Sequence, residues 1–241
     1  MSDDLQGLER IPASMHQSLE AYVKTVREHV GAKFLAATVF GSIVAGTFDP
    51  ARHTVRNVVV LETIELAGLR RLAKEGMKLG KAKISAPLMM TPDYIQQSLD
   101  SFPLEFLEIH QQHVCLTGTD YFQDLAFEDS FIRLQAEREI KTILIGMRQG
   151  LLAAAGREKL LSGIEGDVVE RLIRTLRGLL WLHQQREPLP ALTVLAEVEK
   201  SVSQKFSGIR QAIGGQGNHG WEEFQQLYTD IDTLRGIVNA W

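Results

Sequence analysis

The stretch "TVFGSIVAGTFDPARHTVRNVVVLE", Thr38 to Glu62, decides how the first half of this chain is read. An apolar run from Phe34 to Phe40 ends at Gly41-Ser42, a polar loop follows, and a valine-rich run occupies Asn57 to Leu61. Short apolar runs bounded by turn residues predict buried strands. A strand that ends in Gly-Ser is suited to holding phosphate. Glycine lets the backbone approach the ligand closely, and the serine hydroxyl and neighbouring amides can bond its oxygens.

Working outward, Ser14 to Val30 repeats apolar residues at helical spacing and is stopped by Gly31. Leu66 to Met77 predicts a helix and Lys83 to Met90 a strand. Thr91-Pro92 opens a third helix, with threonine as N-cap and proline at the first helical position. Leu104 to Ile109 and His113 to Leu116 predict two further strands. From about Phe127 the pattern is helical throughout: Phe131 to Ala155, Val168 to Gln185, Leu192 to Phe206 and Trp221 to Val238. The segment "REPLP" breaks the second of these from the third, and "GGQGNHG", Gly214 to Gly220, connects the last two. Strands alternating with helices and then helices alone predict an α+β domain over 1–125 and an all-α bundle over 126–241.

The composition of the 241 residues, 44% hydrophobic and 23% charged, is that of a globular protein, and a net charge of −4 provides no general attraction to nucleic acid or anionic membrane. One cysteine, Cys115, excludes an internal disulfide and a cysteine-based zinc cluster, and its apolar surroundings predict buried filler. The N-terminal residues lack a basic-then-apolar signal layout, and no apolar run reaches the roughly 20 residues of a membrane span, so a cytoplasmic location is expected.

"VFGSIVAGTFDP" followed by "NVVVLE" resembles the nucleotidyltransferase superfamily of the DNA polymerase β type, which includes the kanamycin and streptomycin nucleotidyltransferases. The family fingerprint is Gly-Ser, a loop of about ten residues, and Asp-x-Asp or Asp-x-Glu opening an apolar strand. The later "DSFPLEFLEIHQQHVCLTGTDYF" is similar to bacterial members in which a helical half follows directly. The resemblance implies a mixed sheet with flanking helices followed by a helical bundle. It also implies transfer of a nucleotide from a nucleoside triphosphate, with Mg²⁺ held by carboxylates. Gly41 and Ser42 match the phosphate-holding pair.

The metal positions depart from that pattern. Val55 falls on the first aspartate and Asn57 on the second. Valine offers no ligand atom, and a neutral amide is a poor substitute for a carboxylate on a hard cation. Arg56 lies between them, and strand alternation is expected to turn it away from the site. Glu105 or Glu108, expected on a strand, remains as the match to a third carboxylate and general base. Asp49 reads as a turn residue in "FDP", and Glu62 lies an odd number of residues beyond Asn57, so neither is expected to replace the missing ligands.

Three other features carry weaker signals. Arg177 and His183 on one helix resemble the arginine–histidine spacing of HEPN ribonucleases, but Gly178 stands where a polar residue is usual, and a structural role is expected. His110-Gln111-Gln112-His113 reads as a polar turn rather than a metal site. The glycines of 214–220 follow no strand and lack the Lys-Ser/Thr of a phosphate loop.

The expectation is a catalytically degenerate nucleotidyltransferase-like protein that keeps nucleotide binding or a regulatory or assembly role. An active enzyme using Mg²⁺ and a nucleoside triphosphate on a small-molecule or protein hydroxyl is the first alternative. A structural module that forms a homodimer through its helical half is the second. Neither a membrane nor a nucleic-acid partner is indicated.

Overall fold

The structure, a computed structural model, describes residues 5–215 and 220–241. The chain divides into two compact units, Met1–Ser101 with Glu108–Ala126, and Phe102–Leu107 with Phe127–Trp241. Most of the "GGQGNHG" connection lies outside the described residues.

The first unit opens with α1 (His16–Val30) and β1 (Phe34–Phe40), crosses the loop to β2 (Arg56–Leu61), and continues through α2 (Leu66–Leu72) and α3 (Gly76–Lys81). Then come β3 (Leu88–Met90), α4 (Pro92–Gln97), α5 (Pro103–Gln111), of which only the part from Glu108 belongs to this unit, and β4 (His113–Gly118). The four strands form one mixed sheet in the order β3-β2-β1-β4. β1 is antiparallel to both neighbours, while β2 and β3 run parallel. Thr91 caps α4 by accepting a hydrogen bond from the Tyr94 amide, with Pro92 at the first helical position, as its sequence predicts.

One face of the sheet packs on α1 and α3. Leu19, Tyr22, Val23 and Val26 of α1 and Leu79 of α3 meet Ala37, Val39, Val55, Val59, Leu61, Val114 and Leu116 in a single apolar cluster. Antiparallel pairing puts directly opposed residues on the same face. The pairs Phe40–Arg56, Thr38–Val58 and Ala36–Val60 therefore define the opposite face, together with Cys115 beside Thr38 and His113 beside Phe40.

Two predicted strands need correction, and the helix predicted over Leu66–Met77 is two helices, α2 and α3. Leu104 to Ile109 is not a strand but part of the helix α5, opened by Pro103. Leu104, Phe106, Leu107 and Ile109 are all buried, so the run lacks the one-sided pattern that separates a helix from a strand. The strand predicted from Lys83 shrinks to Leu88–Met90, because Pro87 cannot donate to a sheet ladder; upstream, only Ile84 bridges to Val55.

The second unit is all α: α6 (Asp129–Ala154), α7 (Leu161–Leu182), α8 (Ala191–Ser201), α9 (Ser207–Gly214) and α10 (Trp221–Val238). The helix predicted from Leu192 to Phe206 ends at Ser201, and α9 follows as a separate element. The amides at the start of α9 would otherwise lack partners in the interior. Carboxylates from neighbouring helices supply them: Phe206 N donates to Glu199 at 2.8 Å, and Gly208 N and Ile209 N donate to Asp230 at 2.6 and 3.2 Å. Gly208 makes the close approach feasible, since a Cβ there would lie 2.6 Å from the backbone of Gln226 and Leu227.

Burial raises the Glu199 carboxyl, but the Phe206 amide and the Arg210 and Lys205 cations outweigh it and hold the group below its usual range. Asp230 is shifted the other way: burial raises it more than the Ile209 and Gly208 amides lower it. Stability from Glu199 is therefore present above the ordinary glutamate value and lost as pH falls through its lowered native value; Asp230 contributes with the opposite sign. Glu199→Gln is expected to lower stability at pH 7 by about 1–2 kcal/mol. It should also flatten the loss of stability below pH ~4.3, the ordinary glutamate value, as read by urea melts at pH 7 and pH 3.5.

Candidate functional site

Gly41 has φ +78°, in the left-handed region that favours glycine, and this turn ends β1. Its amide is already engaged, donating to the Gln112 carbonyl at 2.9 Å. Ser42 is half-buried, and its hydroxyl has no hydrogen-bond partner among the described residues. Of the expected phosphate-holding pair, the Ser42 side chain is thus open and the Gly41 amide is not.

Val55 and Asn57, expected at the metal positions, both face the α1 layer. Val55 is fully buried, and its amide donates to the Lys83 carbonyl at 2.7 Å. Asn57 is 2% exposed and fully engaged: Oδ1 accepts from the Tyr22 hydroxyl, and Nδ2 donates to Ser85 O at 3.0 Å and Val55 O at 3.2 Å. Burial pushes the Tyr22 hydroxyl well above its ordinary range, which keeps it a donor. Asn57 is a structural amide tying β2 to α1.

Arg56, expected to turn away, is the residue that faces the site. Its guanidinium lies 4.5 Å from the centroid of the Phe40 ring, and a Cβ built on Gly41 would be 3.6 Å from Nη1. The cation therefore sits beneath the Gly41 turn. Glu108, from α5, clasps it with two hydrogen bonds of 2.6 and 3.0 Å. The Glu108 side chain is 9% exposed and that of Arg56 33%. Bidentate carboxylate–guanidinium pairing of this kind is the strong, geometrically selective form of an ion pair.

Beside this pair on β4, His113 Nε2 lies 2.9 Å from Asp120, and its Nδ1 lies 2.8 Å from the Ile109 carbonyl. The His110 ring meets the Phe122 carbonyl at 2.8 Å. These histidines hold backbone and one carboxylate, and among the described residues no group of three metal-ligating side chains occurs.

Glu105 and Glu108 lie three apart on the same helix yet have different partners. Glu105 accepts from Gln135 Nε2 at 2.8 Å and lies 3.5 Å from Arg174. Asp49 caps its own turn, accepting from the Ala51 amide at 2.9 Å. Glu62 is exposed six residues beyond Arg56, about 20 Å along the strand direction.

A divalent cation under this turn would need carboxylates on β2 or its neighbours. On the Arg56 face, β1 presents Thr38 and Phe40, β2 presents Val58 and Val60, and β3 presents Leu88 and Met90. The residues present do not fit Mg²⁺: among the described residues the carboxylates beside the turn are Glu108 and Asp120, the first engaged by Arg56 and the second by His113.

No family model matches the sequence, and no curated protein matches it. Among solved structures, the chain is similar to the crystal structure of spectinomycin adenyltransferase AAD(9) from Enterococcus faecialis with ATP and spectinomycin. The TM-score is 0.57 at 11% identity, covering 93% of this chain and 99% of that one. The chain has a nucleotidyltransferase-like fold. At this identity the likeness extends to the fold alone, and the nucleotidyltransferase-like sheet here carries Arg56 and Glu108 beneath its Gly-Ser turn.

Arg177 Nη2 donates to the Leu189 carbonyl at 3.3 Å, and His183 packs edge-on to Trp241 at 4.7 Å between centroids. Gly178 is glycine for packing, since a Cβ there would meet Leu104 Cδ2 at 2.3 Å. Cys115 is unpaired; burial first, then the Asp120 charge, raises its thiol, which makes it a poor nucleophile. No helix among the described residues is long and apolar enough to cross a membrane.

Proposed function

We propose that this nucleotidyltransferase-like protein does not carry out metal-dependent nucleotidyl transfer and serves as a non-catalytic binding or assembly module. The observation that carries this is the Arg56–Glu108 pair beneath Gly41. Transfer from a nucleoside triphosphate needs metal ions to neutralise the phosphates and align the displacement. Here a fixed guanidinium supplies positive charge at that place, and the carboxylate that could have bound a metal neutralises it. Glu108 acts as the partner of Arg56 rather than as a general base, and Glu105 belongs to the Gln135–Arg174 network. A nucleotide remains the first ligand to test, through the open Ser42 hydroxyl.

Incubation with labelled ATP, GTP, CTP and UTP and Mg²⁺ or Mn²⁺ is expected to give neither labelled product nor self-modification. Isothermal titration with the same nucleotides separates the module's roles. Heat that is independent of Mg²⁺ identifies a nucleotide-binding module, and no heat with any of the four leaves assembly. Metal-dependent labelling that disappears in the Glu105→Ala/Glu108→Ala double variant contradicts the proposal and restores an active transferase.

A further inference from the structure

The net charge of −4 conceals a local concentration of cations. Between Leu66 and Lys83 lie Arg70, Arg71, Lys74, Lys78, Lys81 and Lys83 with one acidic residue, Glu75. Gly68, Leu72 and Leu79 are the buried positions of this segment, so α2 and α3 turn the cations outward, and all six are exposed. Arg71 bonds the His29 carbonyl. Among the described residues, no carboxylate pairs with Arg70, Lys74, Lys78, Lys81 or Lys83. Lys78 and Lys81 lie three residues apart on α3, about 5 Å along its axis, and Lys74 lies in the turn just before it.

At the edge of this stripe is a cavity of about 260 Å³ between α1 and α3. Lys78 and Gln17 line it with an ammonium and an amide, Ser18 with a hydroxyl and Thr25 with one that already donates to the Ala21 carbonyl, and Ala21, Leu79 and Ala82 supply apolar surface. Its volume and mixed lining suit one planar heterocycle with polar edges.

We propose that the α2–α3 stripe and the adjoining cavity bind single-stranded nucleic acid, with phosphates along the cations and one unstacked base in the cavity. Charge complementarity sets the first part: a row of cations without carboxylate partners, on a chain whose net charge is only −4, attracts a polyanion locally. The cavity selects among polyanions. An unstacked base is the group a single strand offers and a duplex withholds. An anionic membrane fits poorly, because the exposed apolar residues of the segment, Leu66 and Met77, lie eleven positions apart and form no continuous face.

Fluorescence anisotropy with labelled twenty-nucleotide oligo-U and oligo-dT tests this on the full chain, the two arms separating RNA from DNA. Binding at low salt is expected, with a log–log salt slope of about −3 for four phosphates. Lys74→Glu/Lys78→Glu/Lys81→Glu is expected to weaken it at least tenfold. Lys141→Glu/Lys159→Glu/Lys200→Glu, with the same charge change in the helical unit, should weaken it far less. Ala21→Trp fills the cavity mouth without changing charge. It should weaken oligonucleotide binding severalfold and leave inorganic polyphosphate binding unchanged, with circular dichroism confirming folding. No oligonucleotide binding by the natural chain overturns the proposal, as do equal losses in the two triple variants. Equal Ala21→Trp effects on both probes overturn the base cavity. Binding to phosphatidylserine vesicles without oligonucleotide binding assigns the stripe to a membrane instead.

Discussion

Replacing Arg56 with Met is expected to destabilise the sheet-containing unit by about 2–3 kcal/mol, because it leaves Glu108 nearly buried without a counter-charge. Fully buried pairs lose roughly 3–5 kcal/mol when one partner is removed, and the one-third exposure of Arg56 reduces that figure. Glu108→Leu should destabilise less, about 1–2 kcal/mol, since the one-third exposed guanidinium can reach water and keeps its stacking on Phe40. The double variant Arg56→Met/Glu108→Leu should recover most of the loss, because two apolar groups of similar size replace two charges that needed each other. Urea denaturation of the four proteins gives the coupling directly. Single variants whose effects simply add would mean that the pair is a surface accident.

Gly118→Ala should be more damaging still. Gly118 closes β4 opposite Ala36 with φ +86°, and a Cβ there would lie 1.9 Å from the Leu35 carbonyl oxygen and 2.8 Å from Ala36 Cα. Both obstacles are backbone of the central strand, so no side-chain rotation relieves them. Strain of about 1–3 kcal/mol from the left-handed conformation adds to the displacement of β1 from β4, for an expected loss of roughly 3–5 kcal/mol. Gly46→Ala is the matched control: φ is +73°, but nothing lies within 4 Å of the added carbon. It should cost only the conformational part, about 1 kcal/mol, in the same urea melts. If the two substitutions prove equal, the tight β1–β4 approach is not as described.

The boundaries of α1, β1 and α4 were legible from apolar runs and turn residues, since Gly31, Gly41-Ser42 and Thr91-Pro92 mark them by backbone chemistry. The phase of β2 was not. Val58, Val59 and Val60 are all fully buried, so both faces of the strand are covered and the run carries no alternation to say which residues face the turn. A one-residue error in phase exchanged the faces, placing Asn57 at the site and Arg56 away from it. The polar identity of Asn57 reinforced the error, because its buried partner Tyr22 lies 35 residues away in sequence and nothing local announces it. The sequence pattern puts Glu108 on a strand as a base rather than beside Arg56, since the helix of α5 is visible only from its packing. The basic stripe was written openly in "LRRLAKEGMKLGKAK", yet whole-chain charge averages it away.

The central claim is that a fixed guanidinium, rather than a divalent cation, provides the positive charge beneath the Gly41-Ser42 turn. Titration of Mn²⁺ into the protein with ATP, followed by electron paramagnetic resonance, tests it most directly. The expected result is the spectrum of Mn²⁺–ATP and free Mn²⁺ alone, unchanged by the protein and by Glu108→Gln. A saturable protein-bound Mn²⁺ signal that is lost in Glu108→Gln would contradict the account.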